Sequence, residues 1–132
     1  MAKVLLVDDD PDVRKILRGI LEPLCSVLEA GDGGSALDLL AREKPELMLL
    51  DLTMPGLSGM EVLTRAPGVH PKVVVIMLTG RADVSQAREA LELGARAYIT
   101  KPFDPGEIRD EVSRVLEEHG QHEGDPPWRV RT

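Results

Sequence analysis

Short apolar runs alternate along the chain with segments in which apolar residues recur every three or four positions. The runs are continuous rather than alternating with polar residues, which is typical of parallel strands buried on both faces. They lie at residues 4–7, 27–28, 47–50, 73–78 and 97–99. We therefore predict five buried strands.

The segments between the runs predict helices. In the first, Val13, Ile16 and Leu17 recur at helical spacing, Asp10 suits an N-cap and Pro11 the first helical position. Further helices are expected to open at Gly33–Ser35, Ser58–Gly59, Asp83 and Asp104–Pro105, the fourth ending at Gly94 and the fifth near Glu118. The prolines of RAPGVHPK suggest that the third helix is truncated.

Five strands alternating with five helices predict an α/β fold, a doubly wound parallel sheet with helices on both faces and right-handed crossovers. The length of 132 residues suits one domain. We place it at residues 1–118 and expect residues 119–132, which lack an apolar period, to form a flexible tail or linker. Trp128, within that tail, is expected to pack back onto the domain.

Charge and hydropathy narrow the class of protein. The net charge of −7 argues against direct nucleic-acid binding. No apolar run approaches the roughly 20 residues of a membrane helix, and no secretion signal is evident, so we expect a cytoplasmic protein without membrane contact. The single Cys25 is read as an apolar filler of the core.

Polar residues stand at the ends of four predicted strands. Asp8 and Asp9 follow the first, Asp51 ends the third, Thr79 follows the fourth and Lys101 the fifth. Because ligands of open parallel sheets bind at the carboxyl ends of the strands, these residues are expected to converge at one edge.

Such a cluster favours phosphate chemistry. Two carboxylates about 4 Å apart repel by roughly 4 kcal/mol at an effective dielectric near 20, so a cation is needed between them. Oxygen ligands without histidine or cysteine select a hard ion such as Mg²⁺. A nearby lysine and hydroxyl complete a site for phosphoryl transfer to an aspartate nucleophile.

Four motifs carry a family resemblance. VLLVDDDPDVRKIL, LMLLDLTMPGLSGMEVL, VIMLTG and AYITKPF together resemble a response-regulator receiver domain, the CheY-like class of two-component signalling, over residues 3–118. The resemblance implies a flavodoxin-like strand order, 2-1-3-4-5. It also implies a phosphoacceptor switch that is not an enzyme beyond self-catalysed phosphorylation and dephosphorylation.

The resemblance assigns the acidic residues. Asp51 would be the phosphoacceptor, and Asp9 and Asp51 would ligate Mg²⁺ directly with Asp8 assisting. Thr53 would add its backbone carbonyl. Thr53 and Arg81 would also tune dephosphorylation.

The remaining assignments concern the switch. Thr79 would donate its hydroxyl to the phosphoryl group, and Lys101 would pair with that group, with the Lys101–Pro102 bond cis. Tyr98 would move from exposed toward buried as Thr79 is drawn in. Output contacts would fall on the face of the fourth helix, fifth strand and fifth helix.

The partners implied are a sensor histidine kinase or phosphotransfer protein upstream, and a downstream effector or a missing output domain. We expect a monomer or a weak dimer. Two other classes are considered and disfavoured. One is a phosphohydrolase of the haloacid-dehalogenase kind, suggested by Asp8 and Asp10 after the first strand, and the other is a binding scaffold that is no longer phosphorylated. The first is disfavoured because only Asp104, Glu107 and a helix follow Lys101, where a further acidic pair is needed. The second is disfavoured because the chain keeps an intact set of Asp8, Asp9, Asp51, Thr79 and Lys101.

Overall fold

The computed structural model describes residues 2–80 and 84–124. Within them, strands and helices alternate from the first strand to the last helix. The elements are β1 (Lys3–Val7), α1 (Pro11–Leu21), β2 (Ser26–Ala30), α2 (Gly33–Glu43), β3 (Leu47–Asp51), α3 (Gly59–Val69), β4 (Val74–Thr79), α4 (Val84–Glu92), β5 (Ala97–Thr100) and α5 (Pro105–Gly124).

The five strands form one parallel sheet in the order β2-β1-β3-β4-β5. The chain builds outward from β1 to β2 and then returns to place β3 on the other side of β1. In open parallel sheets, ligands bind at such a reversal, here at the carboxyl ends of β1 and β3. The predicted α/β fold and strand order are confirmed.

The sheet is buried on both faces because helices cover both, and successive strand residues point to opposite sides. On one face, Leu5 and Leu50 pack with Val62 of α3 in a core that also includes residues of α2 and α4. On the other face, Leu6 and Leu49 pack in a second core with residues of α1 and α5. The continuous apolar runs of β1 and β3 are thus explained by burial on two sides.

Polar N-cap residues precede helices α1, α2 and α3. Asp10 caps α1, its carboxylate accepting a hydrogen bond from the Asp12 N–H at 2.9 Å. Ser58 and Glu61 form a reciprocal capping box at the start of α3. Asp32 caps α2, which opens at Gly33, and Asp83, the expected start of α4, lies outside the described residues.

Helix α3 is not truncated, and the prediction of a short third helix was wrong. It runs for 11 residues to Val69, with Pro67 inside it, and the His70 N–H still donates to the Ala66 carbonyl. Pro67 removes one hydrogen bond. The burial of Val62 and Ala66 against the sheet outweighs that local loss.

Helix α5 continues to Gly124 rather than ending near Glu118. Elongating an existing helix gains one backbone hydrogen bond for each residue fixed, which favours a helix that continues past the apolar period of the sequence. The proposed boundary at residue 118 therefore falls inside a helix. The rest of the expected tail, including Trp128, lies outside the described residues. Over the part of the chain that is described, no helix has the length and apolar character needed to span a membrane.

Gly59, the first residue of α3, lies against the end of β3. A Cβ built on it would stand 2.2 Å from the Asp51 carbonyl oxygen and 2.7 Å from the Leu52 Cα. Both neighbours are backbone atoms and cannot rotate away. The absence of a side chain at this position is what lets α3 begin beside the Asp51 peptide.

We predict that Gly59→Ala lowers the free energy of unfolding by about 1–3 kcal/mol, because the added methyl overpacks against backbone. Gly68→Ala in the same helix is the matched control, since nothing lies within 4 Å of its Cβ position. That variant should be unchanged or more stable by up to about 1 kcal/mol. Denaturant unfolding measures both, and equal effects would contradict the close approach.

Candidate functional site

Strand register brings the polar residues to one edge of the sheet. Val7 of β1 lies opposite Leu50 of β3, so Asp8 and Asp51 come next on adjacent strands. Thr79 closes β4, one step beyond the Leu78–Asp51 pair. Lys101 follows the residue of β5 that pairs with Thr79. The predicted convergence at one edge of the sheet is therefore observed for Asp8, Asp51, Thr79 and Lys101.

Three of these polar residues are as buried as the apolar core. Asp8 and Thr79 are each 1% exposed, and Asp51 is 6% exposed. Asp9 is exposed and Lys101 is partly buried at the mouth of the site. Burying carboxylates is unfavourable unless charge partners compensate, so the local contacts decide whether the arrangement is stable.

Lys101 is the cation that the site itself supplies. Its Nζ lies 2.9 Å from Asp8 Oδ2 and 3.3 Å from Asp51 Oδ1. The Lys101 N–H also donates to the Thr79 carbonyl at 2.7 Å, which fixes the loop that carries the ammonium group. The Lys101–Pro102 bond is cis, as predicted.

The acidic site perturbs the ionisation of its members. Burial, followed by the charge of Asp8, raises the pKa of Asp51, and Lys101 only partly offsets this. Burial alone would lower the pKa of Lys101. The hydrogen bond to Asp8 and the two carboxylate charges outweigh that effect, so the pKa of Lys101 is raised. One ammonium group therefore does not fully compensate the acidic cluster.

The donor set fits a hard divalent cation. Carboxylate oxygens of Asp8, Asp9 and Asp51 lie within 4.8 Å of one another. Ligands on opposite sides of an octahedral Mg²⁺ are about 4.2 Å apart, so small side-chain movements are enough to bring these oxygens into range. Added positive charge would also relieve the repulsion that one lysine leaves uncompensated.

Two further predicted residues take defined places. The Thr53 N–H donates to Asp51 Oδ1 at 3.4 Å, so the Thr53 backbone lies beside the Asp51 carboxylate. Thr53 is itself exposed. Tyr98 of β5 lies opposite Met77, two positions before the pair formed by Thr79, and packs against the core on that face. Arg81 lies outside the described residues.

Sequence reasoning missed one residue that contacts the site. Arg14 of α1 donates from Nη1 to the Asp8 carbonyl at 2.5 Å. Its spacing from Asp8 carries no distinctive motif, and its anchor Glu29 lies 15 residues away on another strand. Only the folded arrangement reveals the contact.

Comparison with known proteins agrees with this geometry. The sequence model of the response regulator receiver domain matches residues 4–113. Sporulation initiation phosphotransferase F of Bacillus subtilis is 36% identical over 115 residues, covering 86% of this chain and 93% of that protein. A probable transcriptional regulator, ycf27, of Porphyridium aerugineum is 42% identical, but the chain spans only 48% of its length.

A solved structure shows the same fold. The receiver domain of AraT, a response regulator from Geobacillus stearothermophilus, superposes with a TM-score of 0.85 at 33% identity and covers 92% of this chain and 98% of that one. The chain belongs to the response regulator receiver domain family. It is accordingly a phosphoacceptor switch of two-component signalling, with an acidic pocket of Asp8, Asp9 and Asp51, and not an enzyme in the usual sense.

We predict that Asp51→Asn raises the free energy of unfolding when divalent cations are absent. The pKa of Asp51 is raised in the folded state, so the folded protein binds more protons than the unfolded chain between the two pKa values. Wild-type stability should therefore fall as pH rises through that window. The advantage of the variant should grow over the same window and then level off.

Denaturant unfolding as a function of pH, with a chelator present, measures this difference. Asp38→Asn is the control, because Asp38 forms an exposed pair with Arg42 on α2. Such surface pairs contribute little, so this variant should follow the wild type. An Asp51→Asn protein that is less stable than wild type at neutral pH would show that the carboxylate is not repelled in the folded state.

Proposed function

We propose that this receiver domain takes a phosphoryl group on Asp51, in a Mg²⁺-dependent transfer from a sensor histidine kinase or phosphotransfer protein. The modification then changes the surface formed by α4, β5 and α5. The observation that supports this most strongly is the Asp51 carboxylate, which is nearly buried, lies within metal-binding reach of Asp8 and Asp9, and contacts Lys101.

Asp51 suits the role of nucleophile better than Asp8. Its Oδ1 accepts from both the Thr53 N–H and Lys101, which leaves Oδ2 outside these two contacts. The loop that follows Asp51 is held close by Gly59. Asp8, in contrast, is nearly fully buried, and its two carboxylate oxygens accept from the Asp10 N–H and from Lys101. We therefore assign Asp8 to holding the cation and the ammonium group in place.

In the proposed transfer, an Asp51 oxygen forms a bond to phosphorus while the bond from phosphorus to the donor's histidine nitrogen breaks. The electron pair of the broken bond stays on the imidazole. Mg²⁺ held by Asp8, Asp9, Asp51 and the Thr53 carbonyl would neutralise charge on the phosphoryl oxygens. Lys101 would shift from its pairing with Asp51 to a phosphoryl oxygen, since the transferred group occupies the position of the carboxylate charge.

The upstream partner follows from the chemistry and from the relatives. A phosphoacceptor needs a high-energy donor, and one similar protein is named a sporulation initiation phosphotransferase. The ycf27 relative, a probable transcriptional regulator, is about twice as long as this chain. We infer that the output of this receiver domain is an effector protein or a further domain. We place the protein in the cytoplasm, as a monomer or weak dimer with no direct nucleic-acid or membrane contact.

The proposed switch couples Thr79 to Tyr98. Both lie on the same face of neighbouring strands, because Thr79 comes two residues after Met77 and Tyr98 pairs with Met77. Movement of the Thr79 hydroxyl toward the phosphoryl group would displace the loop after β4 and open space beside β5. Tyr98, which is now partly exposed, would turn into that space.

We predict that the wild type gains one phosphoryl group when incubated with Mg²⁺ and a small-molecule phosphodonor, as read by intact mass. Asp51→Asn should gain none. While the adduct forms, released phosphate should stay below the protein concentration, because the phosphoryl group remains on the chain. The Asp38→Asn control should be modified like the wild type.

The same experiment separates the other classes. Release of phosphate over many rapid turnovers that depends on Asp8 and survives Asp51→Asn would instead indicate a phosphohydrolase. Absence of both adduct and turnover in the wild type would indicate a scaffold. Either result would overturn the proposed acceptor role.

We also predict that phosphorylation protects Tyr98 from nitration. Tyr98 is the only tyrosine in the chain, so the nitrated mass reports this ring alone. Protection should be lost in Thr79→Val, which keeps the size of the side chain but removes the hydroxyl. Equal nitration of phosphorylated and unmodified wild type would show that Tyr98 does not respond to the phosphoryl group.

A further inference from the structure

The carbonyl of Asp8 is held by a side chain from α1. Arg14 Nη1 donates to this carbonyl oxygen at 2.5 Å, and the guanidinium group lies over Gly31, whose Cβ position would be 3.2 Å from the same nitrogen. The Asp8 carbonyl belongs to the peptide that joins Asp8 to Asp9. Arg14 therefore contacts the backbone between two of the three acidic residues.

Arg14 is itself fixed from the other side. Its Nε donates to Glu29 Oε1 at 3.0 Å, and the Arg14 side chain is only 19% exposed. Glu29 also accepts from Arg18 Nε at 2.6 Å, and these hydrogen bonds, that from Arg18 first, lower the pKa of Glu29. A glutamate that stays ionised provides a firm anchor for the arginine that reaches Asp8.

With this contact, every polar group of Asp8 has a partner. Its N–H donates to the Ala30 carbonyl at 3.2 Å, and its carbonyl accepts from Arg14. Oδ1 accepts from the Asp10 N–H at 2.9 Å, and Oδ2 accepts from Lys101. Because Arg14 contacts the carbonyl oxygen, it restrains the plane of the Asp8–Asp9 peptide. The orientation of this plane determines where the backbone places Asp9.

We propose that Arg14, anchored by Glu29, is a positioning residue that orients the Asp8–Asp9 peptide so that both carboxylates face the divalent cation. The inference rests on the proposed Mg²⁺ site. Arg14 does not touch the cation or the phosphoryl group in this scheme; it acts through the Asp8 carbonyl. Residues that orient metal ligands in this way are typically worth 10–100-fold in metal affinity.

The sign of the effect distinguishes positioning from simple charge. Arg14 is a cation near an acidic site that binds another cation, so its charge alone weakens Mg²⁺ binding. Removing the charge without any positioning role would therefore tighten binding. Positioning predicts the opposite, because a peptide released from Arg14 no longer presents both carboxylates together.

The experiment is Mg²⁺ titration by calorimetry of the wild type, Arg14→Met and Arg18→Met. Methionine keeps much of the apolar stem and removes the donors. Arg18 is the matched control, since it also pairs with Glu29 but directs its other donors to the Val27 carbonyl and to Glu22, and not to Asp8. We expect Arg14→Met to bind Mg²⁺ about tenfold more weakly, and Arg18→Met to stay close to the wild type.

Glu29→Gln is a second variant that keeps the proposal testable if Arg14→Met does not fold. It leaves Arg14 in place but weakens its anchor, so Mg²⁺ binding should weaken by less than in Arg14→Met. Thermal unfolding without Mg²⁺ reports whether each variant is folded. Loss of stability with unchanged Mg²⁺ affinity would mean that the network is structural only.

The outcomes also separate this inference from the proposed function. Wild-type affinity, or tighter binding, in both Arg14→Met and Glu29→Gln would overturn the positioning role while the phosphorylation of Asp51 still stood. A wild type that binds no Mg²⁺ would overturn the proposed metal site, and with it this inference. Arg14→Lys gives a further check, because lysine keeps the charge but replaces the planar fork that spans Asp8 and Glu29 with a single ammonium group. This variant should also bind Mg²⁺ more weakly than the wild type.

Discussion

Repulsion between carboxylates gathered at one edge of the sheet is the constraint on which the rest of this structure depends. Asp8 and Asp51 are buried, and Lys101 bridges them. Burial first, and then the charge of Asp8, keep the pKa of Asp51 raised despite this pairing. A divalent cation and a phosphoryl group both fit this imbalance. In the proposed transfer, the cation would relieve the repulsion and the phosphoryl group would give the lysine a new partner. Stability and function are therefore coupled through the same few atoms.

The parallel sheet brings these charged groups together, although each follows or ends a different strand. Parallel pairing of β1 with β3 puts Asp8 beside Asp51, and β4 and β5 add Thr79 and Lys101 in register. Helices on both faces bury the central strands β1, β3 and β4, and the polar residues stand at the carboxyl ends of the sheet. Local features refine the arrangement: Gly59 lets a helix start against the Asp51 peptide, and Arg14 holds the Asp8 carbonyl.

The convergence of the strand ends could be predicted from the sequence, because all strands of a parallel sheet end at the same edge. Asp51 and Lys101 are recognisable as site residues on that ground alone. The Arg14 contact could not be predicted, since it depends on how α1 lies over the turn after β2. The length of α3 was misjudged because burial of its apolar face outweighs the local cost of Pro67. Tertiary packing decided both cases.

The most direct test of the account is to locate the phosphoryl group after incubation with Mg²⁺ and a phosphodonor. Reduction with borohydride converts an aspartyl phosphate to homoserine, and peptide mapping then identifies the converted position. The account predicts one converted residue, Asp51, and no conversion when Mg²⁺ is chelated. Conversion at Asp8 or Asp9, or phosphate retained on a histidine, would contradict it.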